Sequence, residues 1–213
     1  MWWQYAACAA AGYLLGAIPT GLIVGRVARG IDIRAYGSGR TGFTNVLRTI
    51  GARWGVVALA GDLAKGVAPV LMARFVWGEP YMQMTAGLAA AVGHDWPVFA
   101  GFQGGRGVAT SFAAALAMSP VPAGALVPFG LGLVAVTRMV SVMSVGMAPV
   151  LAIVFVVLAA TGYHSWAYAI YAMIAAVLVL ALHRENIQRI LAGTEPKIGR
   201  GGERRERDRG AGS

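Results

Sequence analysis

Before the charged tail, most charges of this chain sit in three short islands, and the runs between them stay largely apolar for about the 20 residues that a bilayer-spanning helix needs. That segmentation constrains the fold more than any single motif. Only 13% of the residues are charged and 57% are hydrophobic, where a soluble domain carries about 25% charged. A large soluble domain is excluded. The apolar runs do not alternate as lipid-facing barrel strands do. Lipid offers the backbone no hydrogen bonds, so helices remain. The expected fold is all-α, a polytopic membrane helix bundle of about seven transmembrane helices. It forms a single domain over 1–199, followed by a charged, Gly-rich tail over 200–213 expected to be disordered.

The expected spans are Gln4–Val27, kinked at Pro19 and Gly21, then Trp54–Trp77, then a third from the Gly78–Tyr81 turn to about Phe99. Val108–Met118, closed by Ser119–Pro122, is too short to cross straight and reads as a half-span or re-entrant element. A fifth segment ends at Arg138, a sixth covers Val140–Thr161 and a seventh His164–Leu182. With the N-terminus outside, all three islands fall on the cytoplasmic side, as the positive-inside rule requires, and Arg74 is the exception. The net charge of +9 is therefore a topology signal, and nucleic acid is not an expected partner. Membrane lipids are. The single cysteine, Cys8, excludes an intrachain disulfide.

The islands carry the polar chemistry. The first contains Gly37-Ser38-Gly39, a tight turn, with Asn45 and Arg48 beyond it on one helical face. An arginine there can grip a phosphate bidentately. The second, Gly93–Thr110, places Gly104, Gly105, Arg106 and Gly107 just before an apolar helix that starts at Val108 and includes Thr110. Free backbone N–H groups in such a turn, and the helix N-terminus behind it, form a cradle for an anion. The third sets His183 and Asn186 one helical turn apart, with Arg184 and Arg189 expected off that face. His183 reads as a general base, a phosphate donor or an interfacial histidine.

Asp62 and Lys65, three residues apart inside an apolar run, read as a structural ion pair. The three histidines lie on separate segments without carboxylates at ligand spacing, so neither a metal nor another cofactor is expected. No Walker motif and no Gly-x-Ser-x-Gly elbow occurs. This inventory suits phosphorylated substrates better than a protein nucleophile.

Taken together, Gly37–Arg48 (GSGRTGFTNVLR), Gly93–Thr110 (GHDWPVFAGFQGGRGVAT) and His183–Glu195 (HRENIQRILAGTE) resemble the three motifs of the bacterial acyl-phosphate:glycerol-3-phosphate acyltransferases, and Gly61–Gly66 resembles that family's second span. The resemblance covers nearly all of the chain before Gly199. It implies a seven-helix enzyme of the bacterial inner membrane with its site facing the cytoplasm. Such an enzyme transfers an acyl chain from a fatty acyl phosphate to the 1-hydroxyl of glycerol 3-phosphate, giving lysophosphatidic acid and phosphate without CoA. It implies Ser38, Arg48, Arg106, His183 and Asn186 at the phosphate sites, and Gly104, Gly105 and Gly107 as the backbone cradle. Ser38, His183 and Asn186 are the expected catalytic set. Gly37, Gly39, Asn45, Arg48, Gly104, Gly105, Arg106, Gly107 and Thr110 are the expected substrate contacts. Two departures from the pattern stand out: Arg40 replaces an Asn, and Gln103 and Arg106 replace two lysines. Arg40 is expected to compensate for Gln103 across the site. The competing reading is a transporter or flippase for phosphorylated anions, against which stands the lack of an internal repeat.

Overall fold

The computed structural model describes residues 2–205. These residues form eleven α-helices: α1 (Trp2–Gly16), α2 (Thr20–Arg29), α3 (Phe43–Ile50), α4 (Ala52–Trp77), α5 (Pro80–Asp95), α6 (Val108–Met118), α7 (Pro120–Ala125), α8 (Val127–Thr137), α9 (Val140–Ala160), α10 (Trp166–Leu182) and α11 (Arg184–Leu191). Short 3₁₀ turns cover Ile33–Ala35 and Val98–Ala100. No strand occurs among the described residues; a lone antiparallel bridge joins Tyr36 and Arg204.

The expected segments recur with small shifts. Pro19 breaks the first span into α1 and α2, since its ring cannot continue the helix. α5 ends at Asp95, short of the expected Phe99, because Trp96 precedes Pro97 and is pushed out of the helical region. By length and apolarity, α1 with α2, α4, α7 with α8, and α9 can cross a bilayer. α10 with α11, bent by 61° at His183, makes a fifth. α5 has 16 residues and α6 has 11. The count by length is thus four or five against the about seven expected.

Small residues let the helices approach closely. Gly12 and Gly16 of α1 lie directly on the backbone of Ala86 and Ala90 of α5, where any Cβ would collide. Gly66 of α4 packs in the same way on Thr110 of α6. Buried hydroxyls find partners across helices: Tyr171 Oη donates to Ser111 O at 2.8 Å, and Tyr168 Oη to Gln83 Oε1 at 2.9 Å. Arg74, out of place in the charge pattern, donates to Ala117 O and Met118 O at 3.0 and 3.2 Å. It satisfies the orphan carbonyls at the end of α6.

Asp62 and Lys65 form the expected ion pair, with Lys65 Nζ 3.0 Å from Asp62 Oδ1. Lys65 also donates to Ile18 O at 3.0 Å, Thr20 donates to Asp62 Oδ1, and His94 Nδ1 lies 3.5 Å from the same oxygen. Both charged groups are buried. The cluster ties α2 and α5 to α4 beneath the loops that carry the polar islands.

Candidate active site

The three islands meet. Gly37 and Ser38 come from the loop before α3, Arg48 from α3, Arg106 from the loop before α6, and His183 and Asn186 from the α10–α11 bend. All six line one polar cavity of about 450 Å³. Its walls hold Arg48, Arg106, Arg189, Arg204 and Arg205 against Glu185, Glu195 and Glu203. The surplus is cationic, and arginine forks match phosphate oxygens. Arg48 Nε, Arg106 Nε and Asn186 Oδ1 are buried there without a hydrogen-bond partner among the described residues. Buried polar atoms are rarely left unpaired, so two unpaired donors and one unpaired acceptor on residues that line one cavity point to a ligand site.

A second cavity of about 470 Å³ opens beside the first and runs between α4, α6, α8, α9 and α10. Its walls are mostly apolar and include Phe112, Met143, Met147, Leu151 and Ala172. Leu151 and Ala172 lie seven residues along their helices from Ser144 and Val179, which also line it. That places them about 10 Å deeper. Ser38, Thr44, Arg106, Val140, Ser144 and His183 line both cavities and so mark their junction.

Local structure explains how these side chains are presented. The turn before α3 has positive φ at Gly37 and Gly39, +50° and +71°, a conformation that favours glycine. Asn45 holds that turn in place. Its Oδ1 accepts from Ser38 N at 3.0 Å, and its Nδ2 faces the carbonyls of Ile33, Tyr36 and Arg40 at 3.1, 3.1 and 2.8 Å. Asn45 is buried, and all four of these contacts go to the loop. It thereby positions Ser38, and it also lines the second cavity.

His183 sits at the bend, where Nδ1 bonds Val179 O at 2.8 Å. Only a protonated Nδ1 can donate to a carbonyl, so the neutral ring carries its lone pair on Nε2. Burial pushes its pKa down to about 4, against the upward pull of the Val179 bond. The ring is therefore neutral at physiological pH. Asn186 Nδ2 donates to Glu195 Oε1 at 2.7 Å, and Arg189 Nε donates to Glu195 Oε2 at 2.7 Å. Glu195 thus fixes Asn186 with its Oδ1 free. Burial, with Arg40 and Arg189 nearby, lowers Arg106 to about 10, which still leaves it a cation at neutral pH.

Other expected contacts are placed differently. Thr110 is fully buried and donates to Asp62 O at 3.1 Å, lining neither cavity. It joins α6 to α4. Gly39 and Gly104 line neither cavity. Gly105 N already donates to His94 O at 3.1 Å. A Cβ on Gly104 or Gly105 would strike the end of α5 at His94, and one on Gly107 would meet the Asp95 carboxylate. These glycines are needed to seat the loop on α5. From the second island Arg106 reaches both cavities, and His94, Gly105, Gly107, Val108 and Ala109 line the apolar one around the N-terminus of α6. Gln103 is exposed and lines neither cavity, whereas Arg40 lines the apolar one. Arg189, expected off the Asn186 face, lines the polar cavity.

Thr44, Ser141, Ser144 and Glu195 escaped the sequence-based set. Glu195 stood inside the third motif as its closing residue. Ser141 and Ser144, one turn apart at the start of α9, had no signal beyond two hydroxyls at the mouth of an apolar helix.

The family described as Glycerol-3-phosphate acyltransferase matches residues 6–193. A Glycerol-3-phosphate acyltransferase of Parasynechococcus marenigrum is 45% identical over 192 residues, 89% of this chain and 88% of its own length. One of Desulforudis audaxviator is 40% identical over 186 residues, 87% and 91% of the two chains. Among solved structures, PlsY (YgiH), an integral membrane glycerol 3-phosphate acyltransferase, superposes in its glycerol 3-phosphate form with a TM-score of 0.83. It is 35% identical, covering 92% of this chain and 96% of PlsY. Its lysophosphatidic acid form superposes with a TM-score of 0.81 at 34% identity, covering 91% and 94%. On these matches, the chain belongs to the glycerol-3-phosphate acyltransferase family.

Proposed function

We propose that this protein acylates the 1-hydroxyl of glycerol 3-phosphate with a fatty acyl phosphate, releasing lysophosphatidic acid and phosphate. Glycerol-3-phosphate acylation follows from the family. One observation supports the finer reading: a cationic polar cavity and a deep apolar cavity meet at Ser38, Thr44, Arg106, Ser144 and His183. The polar cavity offers arginines for the phosphate of glycerol 3-phosphate and acceptors for its hydroxyls. The apolar cavity offers room for an acyl chain. The donor's own phosphate then falls at the junction, against Arg106.

An acyl phosphate is a mixed anhydride and already activated, so no acyl-enzyme is needed. The protein's work is to hold two anions side by side and orient hydroxyl against carbonyl. Asn186 Oδ1 and His183 Nε2 accept from the hydroxyls. The hydroxyl oxygen bonds the acyl carbon, the bond from that carbon to the phosphate oxygen breaks, and the proton moves to the departing phosphate. A ring with a pKa of about 4 is a weak proton acceptor at neutral pH, which favours the phosphate over His183 as the final acceptor. Ser38 and Arg106 stabilise the charge that leaves.

The same reading makes the chain one integral membrane domain over 1–199. It crosses the bacterial inner membrane seven times if α5 and α6 complete crossings, with the N-terminus outside and the cavities facing the cytoplasm. The test is donor selectivity. Purified protein receives labelled glycerol 3-phosphate with palmitoyl phosphate or palmitoyl-CoA, in the presence of chelator. Labelled lysophosphatidic acid is expected from palmitoyl phosphate alone and is lost in Arg48→Ala. Product from palmitoyl-CoA alone overturns the donor assignment.

A further inference from the structure

The family match ends at residue 193, yet the chain beyond it forms one wall of the polar cavity. Residues 194–205 leave α11 and cross the cavity mouth. Arg48 Nη2 donates to Pro196 O at 2.9 Å, and Ile198 N to Arg138 O at 2.8 Å, which pins the strap between α3 and the α8–α9 connection. Gly199 and Gly201 take positive φ, +86° and +79°, and turn the chain back. Gly202 then lies so close on the Arg48 carbonyl that a Cβ would collide with it. The strap ends beside the Gly37 turn: Gly37 N donates to Glu203 O at 2.9 Å, and Arg205 N to Ala35 O at 2.9 Å, around the Tyr36–Arg204 bridge. The backbone is thus docked at both ends, and Arg204 and Arg205 line the cavity that holds Arg48 and Arg106.

We propose that Arg204 and Arg205 belong to the substrate-anion site, drawing glycerol 3-phosphate into the polar cavity and retaining it there. This rests on the reading that the cavity takes a phosphorylated substrate. Both side chains are exposed, so each contributes as a screened surface cation rather than a buried one. Exposed ion pairs are worth about 0.2–1 kcal/mol, or about 1.5- to fivefold in affinity each. Neither touches the reacting carbonyl in this assignment. They are binding residues, and kcat is expected to stand.

The experiment compares three full-length variants with the wild type. Arg204→Ala/Arg205→Ala removes the cations, Arg204→Lys/Arg205→Lys keeps the charge, and Arg26→Ala/Arg29→Ala removes the same charge from exposed positions that line neither cavity. Glycerol 3-phosphate binding is measured by calorimetry in detergent, and KM and kcat across a range of ionic strength. The strap alanines are expected to raise Kd and KM about threefold to tenfold at low salt, with kcat within twofold and a weaker salt dependence. The lysine pair recovers most of the affinity, and the Arg26/Arg29 pair behaves as wild type. Unchanged affinity in the strap alanines overturns the proposal. So does tighter binding, which would make the strap an obstruction, or an equal loss in the Arg26/Arg29 pair, which would make the effect one of overall charge. Wild-type protein that binds no glycerol 3-phosphate refutes instead the functional reading beneath it.

Discussion

Replacing Asn45 with alanine tests whether the site depends on a residue whose side-chain hydrogen bonds all go to the Gly37 turn. The side chain accepts one bond from Ser38 N, and its two amide hydrogens are shared among the carbonyls of Ile33, Tyr36 and Arg40. Alanine deletes three hydrogen bonds in a buried setting. At about 1 kcal/mol each, the cost to the ordered turn is about 3 kcal/mol, or about 100-fold in the population of the competent loop. Since Ser38 lines both cavities, kcat/KM should fall about 100-fold for donor and acceptor alike. The assay is steady-state acyl transfer with each substrate varied in turn, beside thermal unfolding in detergent. Asn45→Asp keeps the acceptor for Ser38 N but turns an oxygen towards three carbonyls, and should fare no better. A loss confined to the KM of one substrate, with an unchanged melting temperature, would make Asn45 a direct ligand and refute this reasoning.

Three further outcomes follow from the same geometry. Thr110→Val removes one buried hydrogen bond to Asp62 O and should cost about 1 kcal/mol of stability with both KM values unchanged; a tenfold rise in either KM would return Thr110 to the substrate site. The folded His183 ring binds its proton less readily than an ordinary histidine, so acidification from 6.5 towards about 4 should destabilise the folded protein, and the ring should not titrate between pH 6 and 8 by NMR; a midpoint near 6.5 contradicts the assigned tautomer and burial. Ala175→Phe, in the wall of the apolar cavity, should shift preference from long to short acyl phosphates in a competition assay, and an unchanged ratio places the acyl chain elsewhere.

Much of this was legible before any coordinates. The apolar runs gave the helices to within a few residues, because lipid-facing segments must satisfy their own backbone. Misses came where tertiary contact overrode pattern. Arg74 contradicted the charge rule because it caps α6 from the neighbouring helix. Gly104, Gly105 and Gly107 of the second island carry a packing role that their spacing did not reveal: the space each leaves is filled by the end of α5. Asn45 and Thr110 carried the right chemistry for a ligand and spend it on backbone, a distinction that spacing along one chain does not encode. Ser141, Ser144 and the 194–205 strap became site walls only once α9 and the chain end were brought beside α3. The strap also bears on the tail expected to be disordered from residue 200: residues 200–205 are docked on the Gly37 turn, and 206–213 lie outside the described residues.

The central claim is that two substrates lie in two cavities that meet at Ser38, Arg106 and His183. The most direct measurement is an experimental structure of the protein with glycerol 3-phosphate and a non-transferable acyl phosphonate bound together. The account places the glycerol phosphate against Arg48, the phosphonate against Arg106 and the acyl chain along Met143, Met147 and Leu151, with the acceptor hydroxyl facing the acyl carbon. A chain lying outside the α4–α6–α8–α9–α10 cavity, or a glycerol phosphate bound away from Arg48, would contradict it.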